Sequence, residues 1–230
     1  MVDYNKPDFA ETYHQANTLL VKSTVAESFP VSITAIIKEQ SNICCVTYQK
    51  AITKWGFNPA ALGSKSALYV PQYYGKKIIF YNDKESESRK RFSLGHEFGH
   101  YWLEHDLDTK DPVVYAKQEV ETNFFTAQLF MPEQILRELQ KRLMRIDEAF
   151  LINTFNVSAE AARKRLVTLN KLQNYHRSAL EQEYDDIILS KYKSFIDKIR
   201  PVGYSQASFA EELERQAERD CWFQDRKERW

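Results

Sequence analysis

The stretch RFSLGHEFGHYWLEH, from Arg91 to His105, places His96, Glu97 and His100 in the order H-E-x-x-H. In a helix of 3.6 residues per turn, positions four apart lie about 40° from each other around the axis and roughly 6 Å along it. Two imidazoles so placed can converge on one zinc ion at about 2.0–2.1 Å from each nitrogen. Glu97 is rotated about 100° from His96, too far round to join the pair as a ligand. It is placed to take a proton from water at the metal, as a general base. Ser86 and Ser88 offer N-cap oxygens, and Phe92, His96, Gly99 and Leu103 share one face, so a helix is expected. Gly95 and Gly99 each cost that helix about 1 kcal/mol relative to alanine. Two glycines one turn apart imply that something packs very close. A buried amphipathic helix with incidental histidines is the plainer alternative, but three of the chain's five histidines lie within these ten residues.

A catalytic zinc needs three protein ligands and an open position. The continuation H-x-x-G-x-x-H fails here, because Leu103 and Asp106 stand at the glycine and third-histidine positions. His105, five residues past His100, would point about 140° away if the helix continued, and reads as a surface or helix-end histidine. The better source is KQEVETNFFTAQLFMP, Lys117 to Pro132, a helical apolar stripe closed by Met131-Pro132. Glu119 and Asn123 share a face there. Glu119 would ligate while Asn123 supports a ligand from behind. Glu121, about 200° round from Glu119, is the competitor.

These two blocks, RFSLGHEFGHYWLEH and EVETNFFTAQLFMP, resemble the ImmA/IrrE zinc metallopeptidases of bacteria and their mobile elements. Thr122 and Thr126 stand where that family usually has alanine, and Phe130 where it has leucine. The resemblance extends with less specificity from about Phe29 to Asn170. It implies Zn2+ on His96, His100 and Glu119, and Glu97 as the base. It also implies a helix-turn-helix transcriptional repressor as substrate, whose cleavage releases repressed genes.

At 230 residues the chain holds one full domain and a smaller appendage. Hydrophobic content of 43% supports a packed core. A formal net charge of zero provides no global attraction for nucleic acid or anionic membrane. No apolar run follows a basic N-terminus or is long enough to span a bilayer, so a cytoplasmic protein is expected. Cys44, Cys45 and Cys221 form no disulfide framework.

The order of segments predicts an α+β fold: a zincin-like core with a small, mainly antiparallel sheet packed on the H-E-x-x-H helix, then a helical C-terminal region. Residues 1–28 read as an N-terminal arm with some helix from Tyr13 to Lys22. Residues 29–132 read as the metallopeptidase core: a helix in PVSITAIIKEQ, a strand in CCVTY, and a hairpin in ALYVPQYYGKKIIFYN. Pro71 suggests that its strand is an edge, to which an extended substrate could add.

Residues 133–170 read as a helix with proline at its first position, followed by a helix-turn-helix cadence around FNVS. Its second helix carries Arg163, Lys164 and Arg165. Seven Lys/Arg against five Asp/Glu over 133–170 is too small an excess for a DNA reader. Residues 171–230 read as a helical extension with a stripe of Tyr184, Ile187, Ile188, Tyr192, Phe195 and Ile199, a break at Pro201-Val202-Gly203, and a further helix in FAEELERQAERDCWF. The expected function is a zinc endopeptidase. Its rivals are a DNA- or partner-binding regulator with a structural or inactive zinc site, and a toxin-like component of a two-gene module. An intact Glu97 favours catalysis, because a structural zinc needs no base.

Overall fold

Strand formers alternate between two faces to build the sheet. In the computed structural model, residues 6–142, 144–172, 177–200 and 208–215 are described. Strands β1 (Ile43–Thr47), β2 (Ala67–Tyr73) and β3 (Lys76–Tyr81) lie in the order β1-β3-β2. Tyr74 and Gly75, both at positive φ, close the β2–β3 hairpin in the two-residue turn that matches strand twist. β1 pairs with β3 in parallel and β2 pairs with β3 antiparallel. The sheet is therefore mixed, where a mainly antiparallel one was expected. Parallel neighbours need a long crossover. Here α3 (Tyr48–Trp55), a 3-10 turn (Pro59–Leu62) and β2 itself provide it.

Ile78 and Phe80 turn to one side of the sheet and pack with Val46 of β1 and with Tyr48 and Ala51 of α3. Tyr69 and Ile79 turn to the other side, toward α4 (Glu87–Trp102), whose Leu94 and Phe98 are buried in the main core. The α2 helix (Ile33–Glu39) packs against both β1 and α4. Ser86 is the N-cap of α4 but makes no side-chain capping bond.

Behind α4 lies α5 (Pro112–Phe130), and behind α5 lies α1 (Phe9–Lys22). α4 and α5 meet at the two glycines. A Cβ on Gly95 would come within 2.8 Å of Thr126 Cγ2 and 2.9 Å of Phe130 Cζ. One on Gly99 would meet Phe125 and Thr122 at 3.2 Å. The close neighbour implied by the glycines is α5, and the residues that depart from the family pattern are the ones filling the seam. Thr122 and Thr126 bond their hydroxyls back to the carbonyls of Gln118 and Thr122, which leaves their methyl groups to pack.

The chain continues through α6 (Glu133–Lys141), α7 (Glu148–Phe155), α8 (Ala159–Lys171), α9 (Ala179–Lys191) and α10 (Lys193–Lys198). Residues 208–215 are also helical. Pro132 is the N-cap of α6, one position earlier than expected. α7 and α8 form the helix-turn-helix, with Phe155 and Val157 buried and Ser158 capping α8. One hydrophobic cluster runs from Ala16 through Phe98, Phe125 and Phe155 to Ile196. It draws on the first arm, the core, the helix-turn-helix and the extension alike. The expected break at 201–203, the part of the expected last helix beyond 215, and Cys221 lie outside the described residues. Among the described residues no helix is long and apolar enough to cross a membrane.

Candidate metal centre

α4 carries His96 and His100 on one face, and the glycine seam lets α5 come close enough to deliver Glu119 between them. Glu119 Oε2 is 3.4 Å from His96 Nε2, Glu119 Oε1 is 3.3 Å from His100 Nε2, and the two Nε2 atoms are 3.2 Å apart. Around an ion with bonds of about 2.0–2.1 Å, tetrahedral ligands stand about 3.3–3.4 Å from one another. The spacing therefore suits a small tetrahedral cation. Two imine nitrogens aimed at each other also repel unless a proton or a cation lies between them. The donor set, two imidazoles and one carboxylate, is that of a catalytic zinc site with one position open.

The electrostatics agree. Hydrogen bonds from His100 and His96 hold the Glu119 carboxyl well below the usual carboxylate range. Burial pulls the His96 imidazole down, but Glu119, Glu97 and Asn123 together raise it above its ordinary value. Such a site favours positive charge between its three groups. Asn123 Nδ2 donates to the Glu119 carbonyl at 2.6 Å, and its side chain also bonds the His96 ring.

Glu97 points away from the ligand trio toward the sheet, where the backbone N–H of Tyr69 donates to its Oε2 at 2.8 Å. Burial raises the carboxyl, while the charges of His96 and His100 and the Tyr69 bond restrain it. β2 is an edge strand, as Pro71 suggested, so its outward groups pair with no other strand of the sheet. The Tyr69 N–H is committed to Glu97, and Pro71 has none. By the alternation of an antiparallel strand, this edge presents mainly carbonyl acceptors.

One placement departs from the sequence expectation. α4 ends at Trp102, and Glu104 adopts a left-handed φ of 54°. That reversal brings His105 back beneath His100, with Nδ1 to Nδ1 at 3.1 Å. His105 is therefore no surface histidine; its side chain is 8% exposed. The 140° estimate assumed a continuing helix, and the chain turns instead. Glu121, the competitor for the metal, faces His105 rather than the cluster, with Oε2 3.3 Å from Nε2. Burial and the nearby His100 and Lys117 lower the His105 imidazole to about 4, so it is neutral.

Sequence reasoning also left Tyr115 unremarked. One turn before Glu119, it is 53% exposed and its hydroxyl bonds Glu119, whose charge raises its pKa. Its i, i+4 relation to Glu119 was the available signal. Beyond Asn123 a groove of about 1020 Å³ opens between the first half of α4, α5 and α8. Phe9, Val120 and Val167, all exposed, line it together with Arg89, Arg163 and Lys164.

Among the described residues, His96, His100 and Glu119 form a group able to hold a metal ion. Comparison with curated proteins gives no match. Against family models, residues 54–167 match the IrrE N-terminal-like domain of the Peptidase_M78 family, a span that runs from the end of α3 into α8 and contains every site residue above. That match bears out the ImmA/IrrE resemblance: through residues 54–167 the chain belongs to the IrrE N-terminal-like family of peptidases.

Proposed function

We propose that the protein is a zinc-dependent endopeptidase of the cytoplasm that cleaves a helix-turn-helix transcriptional repressor. The observation that carries the zinc reading is the tetrahedral spacing of His96 Nε2, His100 Nε2 and the Glu119 carboxylate beside a separate, half-buried Glu97. Zinc held there would supply Lewis acidity, which acidifies water and polarises a peptide carbonyl. Glu97 then acts as the base. Tyr69 occupies Oε2, so the proton goes to Oε1, and the raised carboxyl is a better acceptor than an exposed one. The same oxygen returns the proton to the departing amine. Tyr115, at the exposed edge of the site, is the side chain placed to donate to the developing oxyanion.

The substrate reading rests on the family and on shape. A folded repressor domain has its backbone hydrogen bonds already satisfied within the fold. Cleavage should therefore fall in a linker or a locally unfolded helix. The groove beyond Asn123 and the helices after Pro132 would provide docking surface that the small site lacks. The DNA-binding rival loses support at α8, because Arg165 is 1% exposed and donates to the Met131 carbonyl and the Gln128 side chain. Arg163 and Lys164 lie beside Glu148 and Glu160. Only a weak basic face remains for phosphate.

The test is to incubate zinc-loaded protein with the repressor encoded beside its gene and map the products by mass spectrometry. One specific cut, absent with Glu97→Gln and weak on casein, is the expected result. An intact repressor, or equal cutting by the variant, would overturn the reading and favour a binding-only role.

A further inference from the structure

Between Glu39 and Asp83 the chain has no acidic residue and no arginine, although acidic residues make up 32 of its 230 positions. The same stretch carries five lysines. It builds β1, α3, β2 and β3, and α3 covers the side of the sheet away from α4. Lys50 and Lys54 lie one turn apart on α3, so they share a face. Lys76 alternates with Ile78 and Phe80 along β3 and therefore points to the α3 side as well. All three are exposed, and among the described residues none of them pairs with a carboxylate.

Beside these charges lies an apolar centre. Ile52 and Trp55, one turn apart on α3, are both exposed. The Trp55 ring stacks on Tyr73 at 5.6 Å, Tyr73 meets Tyr74 edge-on at 5.0 Å, and Tyr74 is 91% exposed. A bulge puts Tyr73 there. Val70 pairs with Ile78 but Tyr73 pairs with Lys76, so β2 takes one residue more than β3. In a regular strand Tyr73 would fall on the side of Tyr69, toward α4. The extra residue turns it onto Phe57 and Phe80 of the other side. The same strand thus gives its Tyr69 N–H to Glu97 and, about 13 Å further along, its Tyr73 ring to this face.

We propose that this face is a docking surface for an acidic segment of the polypeptide substrate, one that also carries an apolar side chain for the centre formed by Ile52, Trp55 and Tyr74. The proposal rests on the peptidase reading above and deepens it by naming what distinguishes a substrate. Charge of a single sign attracts an acidic partner and repels a basic one. The centre selects polypeptide over nucleic acid: aliphatic Ile52 offers nothing to a phosphate chain, and no arginine is present in the stretch to fork onto phosphate oxygens. An anionic lipid surface would meet the same lysines, but β2 leads from this face to Glu97 and hence to a peptide bond. The docked segment lies roughly four residues from the bond that is cut, on the side of the hairpin turn.

The experiment uses full-length protein carrying Glu97→Gln, so that a peptide is bound and not cut. Fluorescence anisotropy follows a labelled peptide of Glu, Asp and Leu residues, the same peptide with Gln and Asn in place of the acids, and single-stranded DNA. Co-sedimentation follows phosphatidylglycerol vesicles. The acidic peptide should bind, more weakly as salt rises, and the amide peptide should not. Lys54→Glu combined with Lys76→Glu should weaken binding by about tenfold or more. Lys141→Glu combined with Lys171→Glu makes the same charge change at exposed sites on α6 and α8, and should alter binding by less than about twofold. In the zinc-loaded enzyme with Glu97 intact, the Lys54→Glu, Lys76→Glu pair should raise KM for the neighbouring repressor and leave kcat unchanged. Equal weakening by the two pairs, an acidic peptide that does not bind, or tighter binding of DNA or vesicles than of peptide overturns the proposal. Peptide binding at this face by an enzyme that cuts nothing would instead overturn the peptidase reading and leave the face as a docking site for an acidic polypeptide.

Discussion

Glu97 and Glu119 border the same pair of histidines, yet their surroundings push them in opposite directions. Glu119 is lowered by the bonds it accepts from His100 and His96, whereas Glu97 is raised by burial. A carboxylate stabilised in its charged form suits a ligand, and one destabilised in that form suits a base. Glu119→Gln should therefore lose its zinc on dialysis, while Glu121→Gln keeps most of it; elemental analysis of the purified proteins checks this. The opposite result would mean that the wrong carboxylate was chosen. Glu97→Gln should keep both fold and metal but lose about 10²–10⁴-fold in proteolytic rate. Full activity in that metal-loaded protein would remove the mechanism. Tyr115→Phe should lower kcat by about 10²–10³-fold with little change in KM, because the donor matters only as charge develops on the oxygen. A fall confined to KM would make Tyr115 a binding residue instead.

At the scale of elements, the site depends on how closely two helices approach. Gly95 and Gly99 cost α4 helix propensity, and α5 recovers it by packing Thr126, Phe130, Thr122 and Phe125 into the space. An alanine at 95 would meet side chains at 2.8 and 2.9 Å, one at 99 only at 3.2 Å. Overpacking of this kind costs about 1–3 kcal/mol, which exceeds the roughly 1 kcal/mol that alanine gains in propensity. Gly95→Ala should thus lower the melting temperature and Gly99→Ala less so, or not at all. Because spreading α4 from α5 also moves Glu119 away from the histidines, zinc affinity should fall in the same order. A stabilised Gly95→Ala protein with normal metal binding would show that the seam is looser than its distances imply.

Across the whole molecule, segments distant in sequence hold the site from behind. α1 lies along α5 and α9, Tyr192 bonds the Ala26 carbonyl, and Lys191 bonds those of Leu20 and Ser23. Gln128 of α5, Asn17 of α1, Gln134 of α6 and Arg165 of α8 share one buried hydrogen-bonded network. At the turn after α1, Glu39 accepts from the Ser23 hydroxyl at 2.5 Å, from Thr24 through both hydroxyl and N–H, and from the Val25 N–H. Burial alone would raise this carboxyl; the four bonds outweigh it and lower the pKa. A folded value below the unfolded one means that the unfolded chain binds the proton more tightly. The stabilisation is complete above the unfolded pKa and is lost as pH falls through the folded one. Glu39→Gln should therefore lose less stability between about pH 7 and about pH 3 than wild type does, measured as urea midpoints. An unchanged acid sensitivity would place the responsible carboxylates elsewhere.

The catalytic pair of blocks was legible because local geometry dictates it. Four-residue spacing puts His96 with His100 and Glu119 with Asn123 whatever surrounds them, and Gly95 with Gly99 announces a close helix partner. The hairpin, the edge position of Pro71 and the helix-turn-helix followed from turn residues, caps and apolar periodicity in the same way. What sequence could not supply was every placement that depends on where a chain goes after an element ends. His105 is on the cluster because Glu104 takes a left-handed turn, which helical extrapolation cannot anticipate. Glu121 faces His105 because α5 lies on a particular side of α4. Arg165 is buried because α8 turns it onto Gln128 and Met131, although its neighbours in sequence are exposed charges. β1 runs parallel to β3 because the chain crosses over between them. Residue types and their spacing along one helix determined the chemistry available, since backbone periodicity is local. Packing between helices and strands decided which of those groups meet, since that depends on burying the apolar faces of the whole chain at once.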